Sequence, residues 1–202
     1  VGAEHDVILA ITDVICGEAF KQLAQWRSRG LDVGVSINLS AAVLGELSLP
    51  ERLEDGARAA NVDPRHVTFE ITETEVMQDL TDSLDILTRL TLRSFTLSID
   101  DFGTGYSGMA QLHRIPFREL KIDGTFVSTL RTDPEARAIV ETMIMLARRL
   151  GMKTVAEGVE TREQFRAVRE LGCDRAQGFF FAPALPAADV LDWVAGFEAE
   201  ID

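Results

Sequence analysis

Residues 96–101 read T-L-S-I-D-D. A short apolar run with β-branched members, closed by acids, has the length and content of a buried parallel strand. The same design recurs on both sides of it. Upstream, V-S-I-N ends in Asn38 and V-T-F-E ends in Glu70. Downstream, E-L-K-I-D carries Lys121 and Asp123, and T-V-A-E-G-V-E carries Glu157 and Glu160. Helical spacing fills the stretches between these runs, and strand–helix alternation implies an α/β fold with a parallel sheet. Polar residues at the carboxyl ends of parallel strands converge on one face, where α/β barrels and open α/β sheets place their sites. Carboxylates gathered there repel one another and are tolerable only if cations hold them.

The elements follow from periodicity and punctuation. Asp6 to Arg29 reads as a long amphipathic helix on Val7, Ile8, Ile11, Val14, Ile15, Ala19 and Leu23, stopped by Gly30. Strands are expected over Val33–Leu39, Val67–Ile71, Phe95–Asp100, Glu119–Ile122, Lys153–Glu157 and Ala176–Phe180. Helices are expected over Pro50–Asn61, about Asp79–Leu92, Pro134–Leu150 and Ala187–Phe197. Another follows the capping-box spacing Thr161-x-x-Gln164 and ends near Gly172. D-F-G-T-G-Y-S-G, residues 101–108, reads as a glycine-rich loop. A short helical turn then leads to Ile115-Pro116. Phe179, Phe180 and Phe181 are assigned to the core, and Cys173 is read as a small buried residue. No linker or repeat interrupts the chain, so residues 1–202 are read as one domain. Six strands are two short of a closed (β/α)8 barrel, which typically runs to about 250 residues. Two readings stay open on that count: an open α/β sheet, or a barrel whose first strands lie outside these residues.

Composition narrows the function. A chain of 202 residues with 46% hydrophobic and 26% charged content is globular in character. A formal net charge of -13 argues against binding a nucleic-acid polymer, which needs Lys and Arg to displace counterions. A small phosphate ligand remains compatible, because bound metal ions reverse the local field. The two cysteines, Cys16 and Cys173, lack metal-ligand spacing, and a reduced, cytoplasmic setting is the simplest reading. His5, His66 and His113 are scattered, which disfavours a histidine-rich zinc site. No apolar run is long enough to span a bilayer, and no signal peptide is recognisable.

Each polar residue taken singly has a plain explanation. Asn38 is a potential cap or surface group, with Ser40 equally placed to cap the next turn. Glu73, Asp123 and Glu160 each suit a helix N-terminus, and Lys121 alone could be a surface lysine. Independent caps would not recur at nearly every strand end, so the array is read as a metal-centred site. Asn38, Glu70 and Asp100 offer hard oxygen donors of the kind Mg²⁺ takes. Asp100-Asp101 is the most specific feature, since adjacent carboxylates can serve two ions, and two ions about 4 Å apart suit phosphodiester cleavage. Lys121 is placed to hold a phosphate oxygen or a water, and Glu157 to accept a proton from that water.

N-L-S at 38–40, E-I-T-E at 70–73, D-D-F-G-T-G-Y-S at 100–107, K-I-D at 121–123, A-E-G-V-E-T at 156–161 and G-C-D-x-x-Q-G at 172–178 resemble the EAL-domain family of cyclic di-GMP phosphodiesterases. The motifs stand in family order over essentially the whole chain. The resemblance implies a modified TIM-like (β/α) barrel with one antiparallel strand, hydrolysing cyclic di-GMP to linear pGpG in bacterial signalling with Mg²⁺ or Mn²⁺, as two ions. It implies metal ligation by Asn38, Glu70 and Asp100, with Asp101 serving the second metal. Lys121 corresponds to the lysine that positions water and phosphate, and Glu157 to the proposed general base. Glu73 corresponds to the glutamate that steadies the glycine-rich loop, and Asp123, Glu160 and Gln177 to polar positions around metals and substrate. A homodimer and an upstream sensory or regulatory domain are implied as partners. The E-A-L motif itself, which carries a metal-ligating glutamate on an early strand, is absent, so the first two strands and first helix are expected to be missing. Gly108 and Gly124 depart from the usual larger residues and are expected to loosen nearby loops. The competing reading is a catalytically inactive cyclic di-GMP receptor of the same family. A metal-dependent barrel enzyme of the enolase type is a third, opposed by the adjacent Asp pair and the glycine-rich loop.

Overall fold

The computed structural model of the protein describes residues 2–78, 80–103 and 114–197. Among the described residues, six strands form one sheet: β1 (Val35–Asn38), β2 (Val67–Thr72), β3 (Thr96–Phe102), β4 (Glu119–Ile122), β5 (Lys153–Ala156) and β6 (Arg175–Ala176). They lie side by side in chain order, and every neighbouring pair is parallel. Doubly wound sheets reverse their strand order at a switch point, whereas barrels wind in one direction. The unbroken order therefore selects the barrel winding over the open sheet. The antiparallel strand implied by the resemblance is not among these six.

The helices are α1 (Gly2–Ser28), α2 (Leu49–Ala59), α3 (Glu73–Gln78), α4 (Leu80–Leu92), α5 (Gly124–Thr129), α6 (Pro134–Leu150), α7 (Arg162–Glu170) and α8 (Val190–Gly196). Their ends follow the local chemistry. Asp133 caps α6 by accepting from Glu135 N–H, with Pro134 in the first turn. Gly151 closes the same helix at φ 73°, a left-handed conformation that glycine adopts without steric cost. The expected capping box is present: Thr161 accepts from Gln164 N–H, and Gln164 accepts from Thr161 N–H.

Period-two alternation along the strands divides two environments. Phe69 and Ile71, Leu97 and Ile99, and Leu120 and Ile122 are essentially fully buried in the hydrophobic core. The alternate residues form a polar inner face. Register aligns Asn38, Glu70, Ser98, Glu119 and Lys153 in one row across five strands. Such an interior is stable only if its charges are mutually paired.

Several expectations need correction. The strand expected over Ala176–Phe180 is only Arg175–Ala176. Val159 N–H takes the Gln177 carbonyl and Phe180 N–H takes the Val159 carbonyl, so the chain turns away at Gly178. Phe179 is 70% exposed rather than core, while Phe180 and Phe181 pack against Phe165. Cys173 is only partly buried. The stripe expected for α1 splits: Val7, Ile11, Val14 and Ile15 are exposed, whereas Cys16, Phe20 and Leu23 enter the core. Both stripes have helical spacing, so periodicity could not tell them apart. α3 and α5 are further helices, and Gly124, expected to loosen a loop, instead opens α5 with Asp123 as its cap. β3 extends to Phe102, two residues into the expected loop. The remainder of that loop, Gly108 and the turn before Ile115 included, lies outside the described residues except for Gly103 and 114.

Candidate active site

β3 sets the site through an irregularity. Ile99 pairs with Leu120 and Phe102 with Ile122, so Asp100 and Asp101 together oppose Lys121. Two residues against one is a β-bulge, which re-aims side chains. In a regular strand Asp100 and Asp101 would face opposite sides. Here Asp101 adopts φ 53°, and its N–H donates to Asp100 Oδ1 at 3.0 Å. Aspartate tolerates this left-handed conformation better than most residues because its short side chain bonds locally. As a result Asp100, Asp101 and Glu157 place carboxylate oxygens within 4.8 Å of one another.

Lys121 sits at the centre. It is 4% exposed, and its Nζ lies 2.7 Å from Glu70 Oε2, 2.8 Å from Glu157 Oε1 and 3.0 Å from Asp100 Oδ1. One ammonium thus pairs with three carboxylates, from β2, β3 and the end of β5, and donates a hydrogen bond to the first of them, Glu70. Burial works against the ammonium, but the hydrogen bonds to Glu157 and Glu70 outweigh it and raise the Lys121 pKa. Glu157 is pushed up to about 6, first by burial, with Asp100 and Glu70 adding to the rise and Lys121 opposing it. Asp101 is also raised, by burial and then by Asp100 and Asp123. The four strand-end groups Glu70, Asp100, Lys121 and Glu157 are therefore one coupled cluster.

The remaining sequence-derived residues fall around it at different distances. Gln177 Nε2 donates to Glu157 Oε1 at 3.2 Å. Glu73, 1% exposed, accepts from Gly103 N–H at 2.7 Å and so ties the start of α3 to the chain just after the Asp pair. Asp123 caps α5 through Thr125 N–H and acts electrostatically on Asp101. Asn38 ends β1 opposite Glu70, exposed, on a cavity of about 430 Å³ that it shares with Ser40, Glu70, Thr72 and Glu75. Glu160 is exposed, and its backbone N–H donates to Gln164 at the head of α7. Glu75 was not singled out by sequence, yet it accepts from Thr72 Oγ1 at 2.7 Å and Ser40 Oγ at 3.4 Å, joining the β1 and β2 ends. The only signal for it was the third glutamate in E-I-T-E-T-E, which looks like a helix-start acid.

The donor set suits a hard divalent cation. Converging carboxylate oxygens of which two belong to acids with raised pKa, at the carboxyl ends of parallel strands, are stabilised by added positive charge. Among the described residues, no helix is long and apolar enough to cross a membrane.

Comparison with known proteins gives the family. The EAL domain model matches residues 2–184, and the chain belongs to that family. It is 38% identical, over 94% of its length and 28% of the relative's, to the bifunctional diguanylate cyclase/cyclic di-GMP phosphodiesterase MucR of Pseudomonas aeruginosa. The solved PaMucR phosphodiesterase in complex with c-di-GMP superposes with a TM-score of 0.87 at 36% identity, covering 93% of this chain and 76% of that one. The Klebsiella pneumoniae BlrP1 manganese/cy-diGMP complex gives a TM-score of 0.77 at 32% identity, covering 83% of this chain and 42% of that one. The fold is accordingly part of a TIM-like EAL barrel. The chain spans between 23% and 48% of the length of the first four curated relatives it matches.

Proposed function

We propose that this chain carries the hydrolytic site of a cyclic di-GMP phosphodiesterase, which opens the cyclic dinucleotide to linear pGpG with Mg²⁺ or Mn²⁺. The observation that carries the reading is the buried Lys121 ammonium bonded to three strand-end carboxylates beside the Asp100–Asp101 bulge. The cyclic di-GMP and manganese complexes of its structural relatives support the substrate and the metal class.

In this reading Asn38, Glu70 and Asp100 would hold one ion, and Asp101 would serve a second. When bound, the ions supply polarisation of the phosphoryl oxygens and acidification of water. Lys121 orients the water or a phosphate oxygen, and its fixed charge stabilises negative charge developing at phosphorus. Glu157 takes the proton from the attacking water as the new O–P bond forms. The bond from phosphorus to the ribose 3′ oxygen breaks, and the leaving 3′ oxygen takes a proton from solvent to become the hydroxyl. Gln177 holds the Glu157 carboxylate by donating to it. Glu73 keeps Gly103, and with it the Asp pair, in place. Asp123 and Glu160 contribute polar surroundings for metals and substrate. A homodimer, a separate sensory or regulatory domain and a cytoplasmic setting belong to the same proposal.

The test is hydrolysis of cyclic di-GMP by the complete gene product with Mg²⁺ or Mn²⁺, following pGpG by chromatography. Metal-dependent product that disappears in Asp100→Ala is the expected result. No product with retained tight binding of the intact ligand would instead establish the receptor reading.

A further inference from the structure

One ion pair lies below the cluster and takes no part in the chemistry above: its anion, Glu119, is buried, while the Arg175 side chain is exposed. Glu119 is 5% exposed and stands two residues before Lys121 on β4. Period two puts both side chains on the inner face, with their Cα atoms separated by about 6.6 Å along the strand. Glu119 Oε2 accepts from Arg175 Nη1 at 2.7 Å, which joins β4 to β6. Both residues line a cavity of about 470 Å³ at the amino-terminal ends of the strands. Of the other cations there, Lys153, in register with Glu119, bonds Asp174 at 2.6 Å, Arg65 bonds Asp63 at 2.6 Å, and Arg118 is exposed just before β4. Glu70 and Lys121 both act electrostatically on Glu119, so the pair and the cluster share one field.

We infer that Glu119 and Arg175 form a positioning pair that keeps Lys121 committed to the carboxylates at the strand ends. The ammonium donates to Glu70 and lies within 3.0 Å of carboxylate oxygens of Asp100 and Glu157. Glu119 is a further carboxylate on the same inner face, two residues away on the same strand, and it competes for the ammonium unless it is itself neutralised. Arg175 supplies that neutralisation through a charge-assisted hydrogen bond. Without Arg175, buried Glu119 keeps no ion-pair partner among the described residues, and the cation on its own strand is Lys121. The pair thus acts through Lys121, not on substrate.

The consequence for turnover rests on the phosphodiesterase reading, but the consequence for Lys121 does not. The chain has three lysines, Lys21, Lys121 and Lys153. Lys21 and Lys153 are 66% and 65% exposed, so only the Lys121 ammonium is shielded from rapid proton exchange. Isotope-labelled lysine in the full chain therefore gives one protected ammonium signal in a proton–nitrogen correlation spectrum, assigned with Lys121→Met. The expected result is that Arg175→Met shifts or broadens this signal and lowers kcat at least about tenfold with KM little changed, since small displacements of a positioned group cost that much or more. Glu119→Gln/Arg175→Met should return both readouts to within about twofold of the parent, because the competing anion is gone. A merely structural pair predicts the opposite: the double variant is no better than Arg175→Met. That result, or an unmoved Lys121 signal in Arg175→Met, overturns the inference. If the parent hydrolyses nothing while the signal follows the expected pattern, the positioning pair stands and the proposed function falls.

Discussion

Lys121 is the residue on which the site turns, and its energetics are asymmetric. Lys121→Met leaves three buried or half-buried carboxylates without their cation, which should cost about 3–5 kcal/mol of stability in the absence of metal. Chemical denaturation of the metal-free protein measures this. Mn²⁺ should recover more stability in the variant than in the parent, since the ion replaces the missing charge. Glu157→Gln is expected to lower kcat by about 10²–10⁴-fold while cyclic di-GMP affinity stays nearly unchanged, read by single-turnover kinetics and calorimetry. Normal turnover in that variant would remove Glu157 as the base. At this scale much was legible beforehand. The carboxylates, the lysine and the Asp pair stood at strand ends in the sequence. What could not be read was the bulge, because alternation alone sends Asp100 and Asp101 to opposite faces. Nor was Glu119 recognised, although period two along E-L-K-I places it inward with Lys121.

At the scale of elements, β6 is too short to hold itself, and Asp174 straps it to β5. Its carboxylate accepts from Lys153 Nζ at 2.6 Å, Thr154 N–H at 3.0 Å and Thr154 Oγ1 at 3.1 Å. Burial works against the charged form, but these bonds prevail and hold the Asp174 carboxyl below its ordinary pKa. Folding therefore favours the anion. The stabilisation is full above the unfolded pKa of about 3.9 and is lost as pH falls through the lower folded value. Asp174→Ala should cost about 1–3 kcal/mol at neutral pH, and the difference from the parent should shrink in that acid window, read by denaturation at several pH values. Gly178 is the companion constraint. It has φ 151°, and a Cβ there would stand 2.2 Å from the Val159 carbonyl oxygen. Gly178→Ala must displace the backbone that carries Gln177, so Glu157 should lose the Gln177 hydrogen bond, though not Lys121, and kcat should fall along with thermal stability. The strand expected through Phe180 overlooked this glycine as a stop, since an aromatic run after it has strand composition.

For the whole molecule, charge and winding decide the behaviour. A chain of net charge -13 concentrates several acids at one sheet end, so a divalent cation that binds there stabilises the folded state by mass action. Mn²⁺ at a hundredfold excess over its Kd should add about 2.7 kcal/mol, visible as a rise in Tm, and a chelator should reverse it. Asp100→Ala should flatten that response. The protein's order of elements was legible in its sequence because buried parallel strands and amphipathic helices have distinct periods, and six runs gave six strands. The family was legible too, because its reactive residues sit in short motifs whose order is fixed by the chain. Tertiary structure alone decided which α1 stripe is buried and how two adjacent aspartates reach one site. Each of these depends on what packs opposite a residue, and periodicity along a single chain carries no record of the partner.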